Sequence, residues 1–342
     1  MSRRRDRMLV IYYRDPAGNF GDDLNEQLWR DLLPASCFEA DDVVLLGVGS
    51  ILREEFLSAE TTRDKRVFIL GSGAGTGPLP RAWPNPDWSV LAVRGPLTAR
   101  LLGMPDAAVT DSAALLAVTH RRAPDAERKD VLFVPHHNSV EYSLWPQACR
   151  RAGLVFVDPR RPVQDILALF DRARLVVTEA MHGAIVADTL RIPWVPVVCS
   201  PAIPPFKWVD WARSLDLDYR PLSLPPSSGW EAIKHRKIRL ANPQDFHRSF
   251  AGDDVDALVA DFHQRYAETA NGAGSSGKID GRARAAIRAV SRAIDPMMLP
   301  RAAAGLRQAS ESHAYVSEQW VFDARLARLQ DAVGTLQRAL GA

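Results

Sequence analysis

The feature that most constrains this 342-residue chain is the regular alternation of short apolar runs with amphipathic stretches. Runs such as 43–48 and 194–198 are rich in apolar residues, mainly Val and Leu, which predicts buried strands. Segments such as 23–33 and 163–172 have the spacing of amphipathic helices. Strands that alternate with helices indicate an α/β fold.

The pattern divides into two Rossmann-like halves that face a cleft, followed by a helical extension. A charged stretch with Pro124, residues 120–130, is the best candidate for the linker between the halves. We predict domains at 1–122 and 123–225, with an extension at 226–342. Ligands of such sheets bind at the carboxyl ends of the strands, so the cleft is where chemistry is expected. The predicted strands are 8–13, 43–48, 67–70 and 90–93 in the first half and 131–134, 154–157, 175–178 and 194–198 in the second.

The extension combines two helical patterns, 253–266 and 315–340, with a flexible Gly/Ser linker at 271–281. The last helix carries an apolar stripe, which fits a coiled coil or a packing face. The sequence therefore allows a homo-oligomer that forms through this helix. A membrane-surface helix is the less favoured alternative. The stripe consists of Trp320, Leu326, Leu329, Val333, Leu336 and Leu340.

Charge and cysteine usage exclude several classes of protein. The 43 Lys and Arg residues nearly balance 41 Asp and Glu residues, which argues against nucleic acid as a partner. The three cysteines lack CxxC spacing, so neither a disulfide framework nor a metal site is predicted. No apolar run approaches the ~20 residues of a membrane helix, and the basic start, 2–7, has no apolar run behind it. We expect a cytoplasmic protein. The sequence also allows peripheral contact with the inner membrane through residues 2–7 or through the extension.

Glycine-rich turns follow three of the predicted strands. The string GNFGDDLN, which contains Asn19 and Asp22, opens a helix where an anion or a sugar hydroxyl can bind, although an aspartate there can also simply cap the helix. GVGS with Gly49 and GSGAG with Gly73 place bare backbone N–H groups at the cleft edge. The last string lacks the register of a dinucleotide fingerprint, so NAD is not expected.

Charged side chains at other strand ends are the candidates for chemistry. Arg94 precedes Gly-Pro and is expected to point into the cleft as a clamp for carboxylate or phosphate, with a surface ion pair as the alternative. His182 stands in the first turn of a helix in AMHGAIVADTLRIPWV, a cleft position rather than a core position. Lys207 follows a proline-rich approach. His136 and His137 end a strand without metal-ligand spacing and are weaker cleft candidates.

Over about residues 8–215 the chain resembles the polysaccharide pyruvyl transferase family. The resemblance rests on an ordered series of motifs: GNFGDDLN, GVGS, GSGAG, VRGPLTARLLG, VTDSAALL, VPHH and AMHGAIVADTLRIPWV. The resemblance implies a GT-B-like fold, phosphoenolpyruvate as donor and a glycan precursor, often lipid-linked, as acceptor. It places the catalytic histidine on His182, the donor-binding arginine on Arg94 and a further basic residue on Lys207. Transfer of pyruvate to form a ketal demands neither a redox cofactor nor a metal.

On this interpretation His182 protonates the methylene of phosphoenolpyruvate while Arg94 and Lys207 neutralise its anionic groups. Asp22, Asp23 or Asp111 orients or deprotonates the acceptor hydroxyl. We expect His182→Ala and Arg94→Ala to abolish phosphate release and to leave folding intact. A GT-B glycosyltransferase that uses a nucleotide sugar and a non-catalytic glycan-assembly subunit are the alternative functions.

Overall fold

The computed structural model describes residues 8–75, 77–121, 124, 127–203, 205–241, 255–269 and 281–342. The predicted basic start at 2–7, most of the Gly/Ser linker at 271–281 and part of the charged linker at 120–130 lie outside these residues.

The first sheet holds four parallel strands in the order β1-β2-β3-β4. Every residue of β2 is buried, as expected of a parallel strand that is covered on both faces. The strands are β1 (Leu9–Ile11), β2 (Val43–Leu46), β3 (Arg66–Ser72) and β4 (Trp88–Val93). The helices connected with them are α1 (Phe20–Asp23), α2 (Asn25–Leu32), α3 (Ala59–Thr62), α4 (Pro96–Leu101) and α5 (Leu116–Thr119).

The second sheet is also parallel, in the order β6-β5-β7-β8-β9. Its strands are β5 (Asp130–Val134), β6 (Val155–Phe156), β7 (Ala173–Thr178), β8 (Trp194–Val198) and β9 (Leu222–Ser223). Its helices are α6 (Trp145–Ala152), α7 (Val163–Phe170), α8 (Met181–Thr189) and α9 (Pro205–Ser214). The predicted α/β class is therefore confirmed.

Element boundaries differ from the sequence prediction where proline or a local turn intervenes. Helix α6 begins at Trp145, because Pro146 is tolerated only in the first turn. The predicted 23–33 helix is observed mainly as α2, and the short helix α1 precedes it and ends at Asp23. Lys207, which follows the proline-rich segment, stands in the first turn of α9.

The extension forms helices α10 (Gly229–Ala241), α11 (Val255–Thr269), α12 (Gly281–Ser310) and α13 (Gln319–Ala339). Helix α12 packs against α6 and α10, whereas α13 returns to the first sheet and packs on β3 and β4. Leu329 and Leu336 of the apolar stripe are fully buried there, while Trp320 is 70% exposed. The stripe is thus largely covered within its own chain, in agreement with the predicted packing face, and a homo-oligomer through this helix stays a prediction.

The chain between α12 and α13 is fastened to the second sheet. Trp194 and Tyr315 exchange two backbone hydrogen bonds of 2.8 and 2.7 Å. The carboxylate of Asp188, in the last turn of α8, accepts hydrogen bonds from Ser317 N at 2.8 Å and Ser317 Oγ at 2.6 Å. Helix α8, which contains His182, therefore also holds the connection between α12 and α13.

Candidate active site

A cavity of about 500 Å³ lies where strands of both sheets end. Loops after β1, β2, β3, β5 and β8 and the first turns of α1, α8 and α9 contribute to its wall. Because parallel strands end at one edge of their sheet, residues far apart in sequence meet there. The polar and charged lining residues are Tyr13, Asn19, Asp22, Ser50, Arg53, His136, His137, Asn138, Ser139, His182, Ser200, Lys207, Lys234 and Tyr266.

His182 occupies the second position of α8, and its side chain is 11% exposed. A Cβ atom at Gly21 would overlap the imidazole, so the glycine of GNFGDD leaves space for the ring. Burial, followed by the positive charges of Lys207 and Arg94, lowers the pKa of His182 to about 3. In the empty cavity the imidazole is therefore neutral at pH 7.

Asp111 is fully buried beside this histidine. Its Oδ1 accepts a hydrogen bond of 3.0 Å from Ala113 N, which caps a 3-10 turn at Ser112–Leu115. Its Oδ2 lies 3.9 Å from His182 Nε2, too far for a hydrogen bond, and within the described residues neither atom has a hydrogen-bond partner. Burial raises the pKa of Asp111 to about 7 despite the opposing effects of that backbone bond and Arg94.

Asp22 and Lys207 form a second pair of acid and base on the cavity wall. Burial raises the pKa of Asp22 to about 7, and the nearby Lys207 ammonium opposes this shift. Burial lowers the pKa of Lys207 to about 8, and the Asp22 carboxylate opposes that shift in turn. Asn19 donates a hydrogen bond to Asp22, and Gly49, at φ +119°, leaves room for the Asp22 carboxylate.

Arg94 does not point into the cavity, so the predicted orientation is wrong. Its guanidinium is fully buried and donates to Asp210 Oδ2 at 3.1 Å, to Ser50 Oγ at 2.6 Å and to the carbonyl of Ala74. A Cβ atom at Gly73 would overlap it. Arg94 therefore fixes the loops after β2 and β3 and acts on the cavity through its charge, which lowers the pKa of His182 and Asp111.

His136 and His137 reach the cavity from the end of β5. Burial holds the pKa of His136 well below its usual value, with Lys207 adding to the effect. The Nε2 atom of His137 lies 3.6 Å from Asp15 Oδ2, which partly opposes the lowering of its pKa by burial. At neutral pH both rings are thus neutral hydrogen-bonding groups.

Glu179, which the sequence analysis missed, organises the loops of the second sheet. Its fully buried carboxylate accepts backbone hydrogen bonds from His136 at 3.0 Å, Cys199 at 2.8 Å and Ser200 at 2.7 Å. It follows β7 directly and precedes His182 by one turn. Its position in TEAMHG, directly after a predicted strand and three residues before His182, could have identified it as a residue near the cleft.

The predicted site residues separate into two groups. Those that line the cavity are His182, Lys207, Asn19, Asp22, His136 and His137. Arg94, Gly49 and Gly73 lie behind its wall and shape it. Further lining residues that sequence reasoning did not identify are Tyr13, Arg53, Lys234 and Tyr266.

A family model described as polysaccharide pyruvyl transferase matches residues 4–201, more than half of the chain. The chain belongs to the polysaccharide pyruvyl transferase family. It is also 38% identical over 227 residues to the succinoglycan biosynthesis protein ExoV of Rhizobium meliloti (strain 1021), and this alignment covers 66% of the chain and 71% of that protein. No solved structure gives a significant match.

The match to the pyruvyl transferase family includes Asp22, Arg94, Asp111 and His182, whereas Lys207 lies just beyond it. The chain is accordingly a pyruvyl transferase of exopolysaccharide synthesis. Within the described ranges, none of the helices has the length and apolarity required to cross a bilayer.

Proposed function

We propose that this pyruvyl transferase binds phosphoenolpyruvate in the cavity and forms a pyruvate ketal on a sugar of a polysaccharide precursor. The observation that carries the proposal is the presence of His182 and Lys207 on one cavity wall, each at the start of a helix from a different part of the chain. A small anionic donor needs such a cation, and protonation of its methylene carbon needs a nearby acid.

The reaction proceeds as an addition followed by a substitution at the same carbon. Proton transfer to the methylene carbon makes a methyl group and a cationic centre at C2, which one sugar hydroxyl attacks. The C2–O bond to phosphate then breaks, and a neighbouring hydroxyl closes the cyclic ketal. The two hydroxyl protons replace the proton taken up by carbon and neutralise the departing phosphate, so there is no net oxidation or reduction and no cofactor is required.

The required proton resides in the His182–Asp111 pair. With the cavity empty, the shifted pKa values keep His182 neutral and leave Asp111 partly protonated near pH 7. A bound dianion offsets the positive charges that lower the pKa of His182, so donor binding raises the proton affinity of the imidazole. We propose His182 as the acid that contacts carbon and Asp111 as the group that positions the ring and exchanges the proton with it.

Lys207 binds the donor's phosphate or carboxylate. Its ammonium and the Asp22 carboxylate stabilise each other's charged forms in the empty cavity, as their opposing pKa effects indicate. When the donor's anionic group takes over this role, Asp22 is freed to accept a proton from an acceptor hydroxyl. Asp22 is thus our choice among the three aspartates for the base. Arg94 keeps a supporting role through its charge and its loop contacts.

The acceptor is a glycan precursor, which we propose to be lipid-linked and to be modified at the cytoplasmic face of the inner membrane. Tyr13, Arg53, His137 and Tyr266 are among the further polar lining residues that are available to a sugar. We also infer a GT-B-like arrangement of Rossmann-like domains, 1–122 and 123–225. Two parallel sheets with a cavity at their strand ends support it.

The test is incubation of the purified protein with phosphoenolpyruvate and a panel of lipid-linked glycans, followed by phosphate measurement and product mass. Phosphate release with a mass gain equal to a pyruvate ketal is expected. Calorimetry compares phosphoenolpyruvate with nucleotide sugars. Binding of a nucleotide sugar with no response to phosphoenolpyruvate would favour a glycosyltransferase and refute the assignment of the donor.

A further inference from the structure

Helix α10 presents a cationic face that the pyruvyl transfer reaction does not use. Glu231 and His235 are buried on its inner side. Between 232 and 241 the helix has no acidic residue. Its outer side exposes Lys234, Arg236, Lys237, Arg239 and Leu240, the last of which is 73% exposed.

This face begins at the wall of the active-site cavity. Lys234 lines the cavity, and its Nζ donates a 3.3 Å hydrogen bond to the carbonyl of Asn138. At a rise of 1.5 Å per residue, Leu240 lies about 9 Å further along the helix. The cations and the exposed leucine therefore continue along the helix from a residue of the cavity wall.

Helix α12 supports this surface from behind. The N–H of Gly229 donates to Asp295 Oδ1 at 2.8 Å, and a Cβ atom at Gly305 would lie 3.0 Å from Pro225. These contacts place the start of α10 and the segment before it against α12. Arg292 and Met297 of α12 are exposed in turn, so the supporting helix also presents a cation and an apolar side chain to solvent.

We propose that the outer face of α10 binds an anionic phospholipid surface and so holds the cavity mouth at the bilayer. Lys and Arg side chains are attracted to the negative potential of such a surface, and an exposed leucine among cations suits the boundary between headgroups and acyl chains. The near-zero balance of the whole chain, +2, disfavours nucleic acid as the occupant. The inference does not depend on the identity of the donor.

The proposal accounts for a cationic surface next to a glycan-modifying cavity. A membrane held by α10 brings an acceptor anchored in that membrane within reach of the cavity, because the cationic face and the cavity share Lys234. Encounter with the acceptor is then restricted to the bilayer plane, which raises its effective concentration.

The experiment is flotation of the purified full chain with vesicles of phosphatidylcholine alone or mixed with phosphatidylglycerol. The variant is Arg236→Glu with Lys237→Glu. The control is Arg63→Glu with Arg150→Glu, which changes the net charge equally at two exposed positions on other elements. We expect binding only to the phosphatidylglycerol vesicles, weakened roughly tenfold or more in the variant and retained in the control.

Three outcomes overturn the proposal: no vesicle binding by the wild type, equal loss in variant and control, or binding to an RNA or DNA duplex that exceeds binding to the vesicles. Phosphate release from phosphoenolpyruvate with a soluble acceptor is measured in parallel and is expected to be unchanged in the variant. If turnover is absent but vesicle binding follows the expected pattern, the donor assignment fails while the membrane surface stands.

Discussion

Asp111 Oδ2 lies 3.9 Å from His182 Nε2, and both atoms are buried without a hydrogen-bond partner among the described residues. Buried polar atoms are nearly always satisfied, so this pair is poised for a group that enters the cavity or for a closer approach during turnover. It joins the first sheet to the second, because Asp111 follows β4 and His182 follows β7.

His182→Asn is expected to lower kcat by roughly 10²–10⁴-fold while the melting temperature changes little, because the proposed general acid is removed and the side-chain volume is nearly kept. His313→Asn, at an exposed position, serves as the matched control and should retain full activity. Phosphate release under saturating phosphoenolpyruvate measures the effect. Wild-type kcat in the His182 variant would rule out its catalytic role.

Asp111→Asn is expected to lose activity and gain stability at neutral and alkaline pH. A carboxyl whose pKa is raised from 3.8 to about 7 by folding binds more protons in the native state, so wild-type stability falls as pH rises across that interval. Removing the charge recovers on the order of 4 kcal/mol above pH 7 and almost nothing below pH 4. Denaturant unfolding at pH 4 and pH 8 measures the difference in the free energy of unfolding between the two proteins. Equal unfolding curves at pH 8 would contradict the raised pKa of Asp111.

Lys207→Arg is expected to extend the alkaline limit of kcat/KM, and Lys207→Met to raise KM for phosphoenolpyruvate. The pKa of Lys207 is lowered to about 8 by burial, so the ammonium is lost as pH rises through that value. Arginine stays charged throughout this range. Profiles of kcat/KM from pH 6 to 10 test this. If the fall of kcat/KM at alkaline pH occurs at the same pH in the arginine variant, another group is responsible for it.

Arg94→Ala is expected to destabilise the fold by about 3–5 kcal/mol, because Asp210 is left charged and buried without its partner. The sequence-based expectation that this variant folds normally is therefore replaced. The double variant Arg94→Met with Asp210→Leu should recover much of the lost free energy of unfolding. If Arg94→Ala unfolds like the wild type but is inactive, a direct role in donor binding regains support.

Gly21→Ala is expected to displace the His182 ring and to reduce kcat, because the added Cβ overlaps the imidazole. Gly334→Ala is the control: this helical glycine has only Arg338 Nη1 near its Cβ position, at 3.4 Å, and alanine there should stabilise the helix by about 1 kcal/mol. Activity and melting temperature of the two variants give the comparison. Full activity in Gly21→Ala would show that the ring position is not critical.

Sequence patterns predicted the strands and the cavity residues that directly follow them, because apolar periodicity and parallel topology determine both. They did not predict the environment of a side chain whose hydrogen-bond partner is distant in sequence. The environment of Arg94 depends on Asp210, which is 116 residues away, and no local motif distinguishes a buried ion pair from a ligand clamp. Glu179 was missed for the same reason, since its donors come from two other loops.

The extension was the least predictable part. Helix α12 contains Pro296 and Pro300, which locally indicate a break, yet packing on α6 and α10 sustains the helix through them. The periodicity of α13 was correctly interpreted as a helix with an apolar stripe. Periodicity could not indicate that the stripe packs against the first sheet of the same chain.

The hydrogen bonds from Ser317 to the Asp188 carboxylate have a practical consequence for protein engineering. Helix α8 carries the imidazole of His182 in its first turn and Asp188 in its last turn, so a cut or a bulky insertion near Tyr315 would disturb the end of the helix that lies opposite His182. Shortened versions made for crystallisation should therefore keep the connection from Tyr315 into α13.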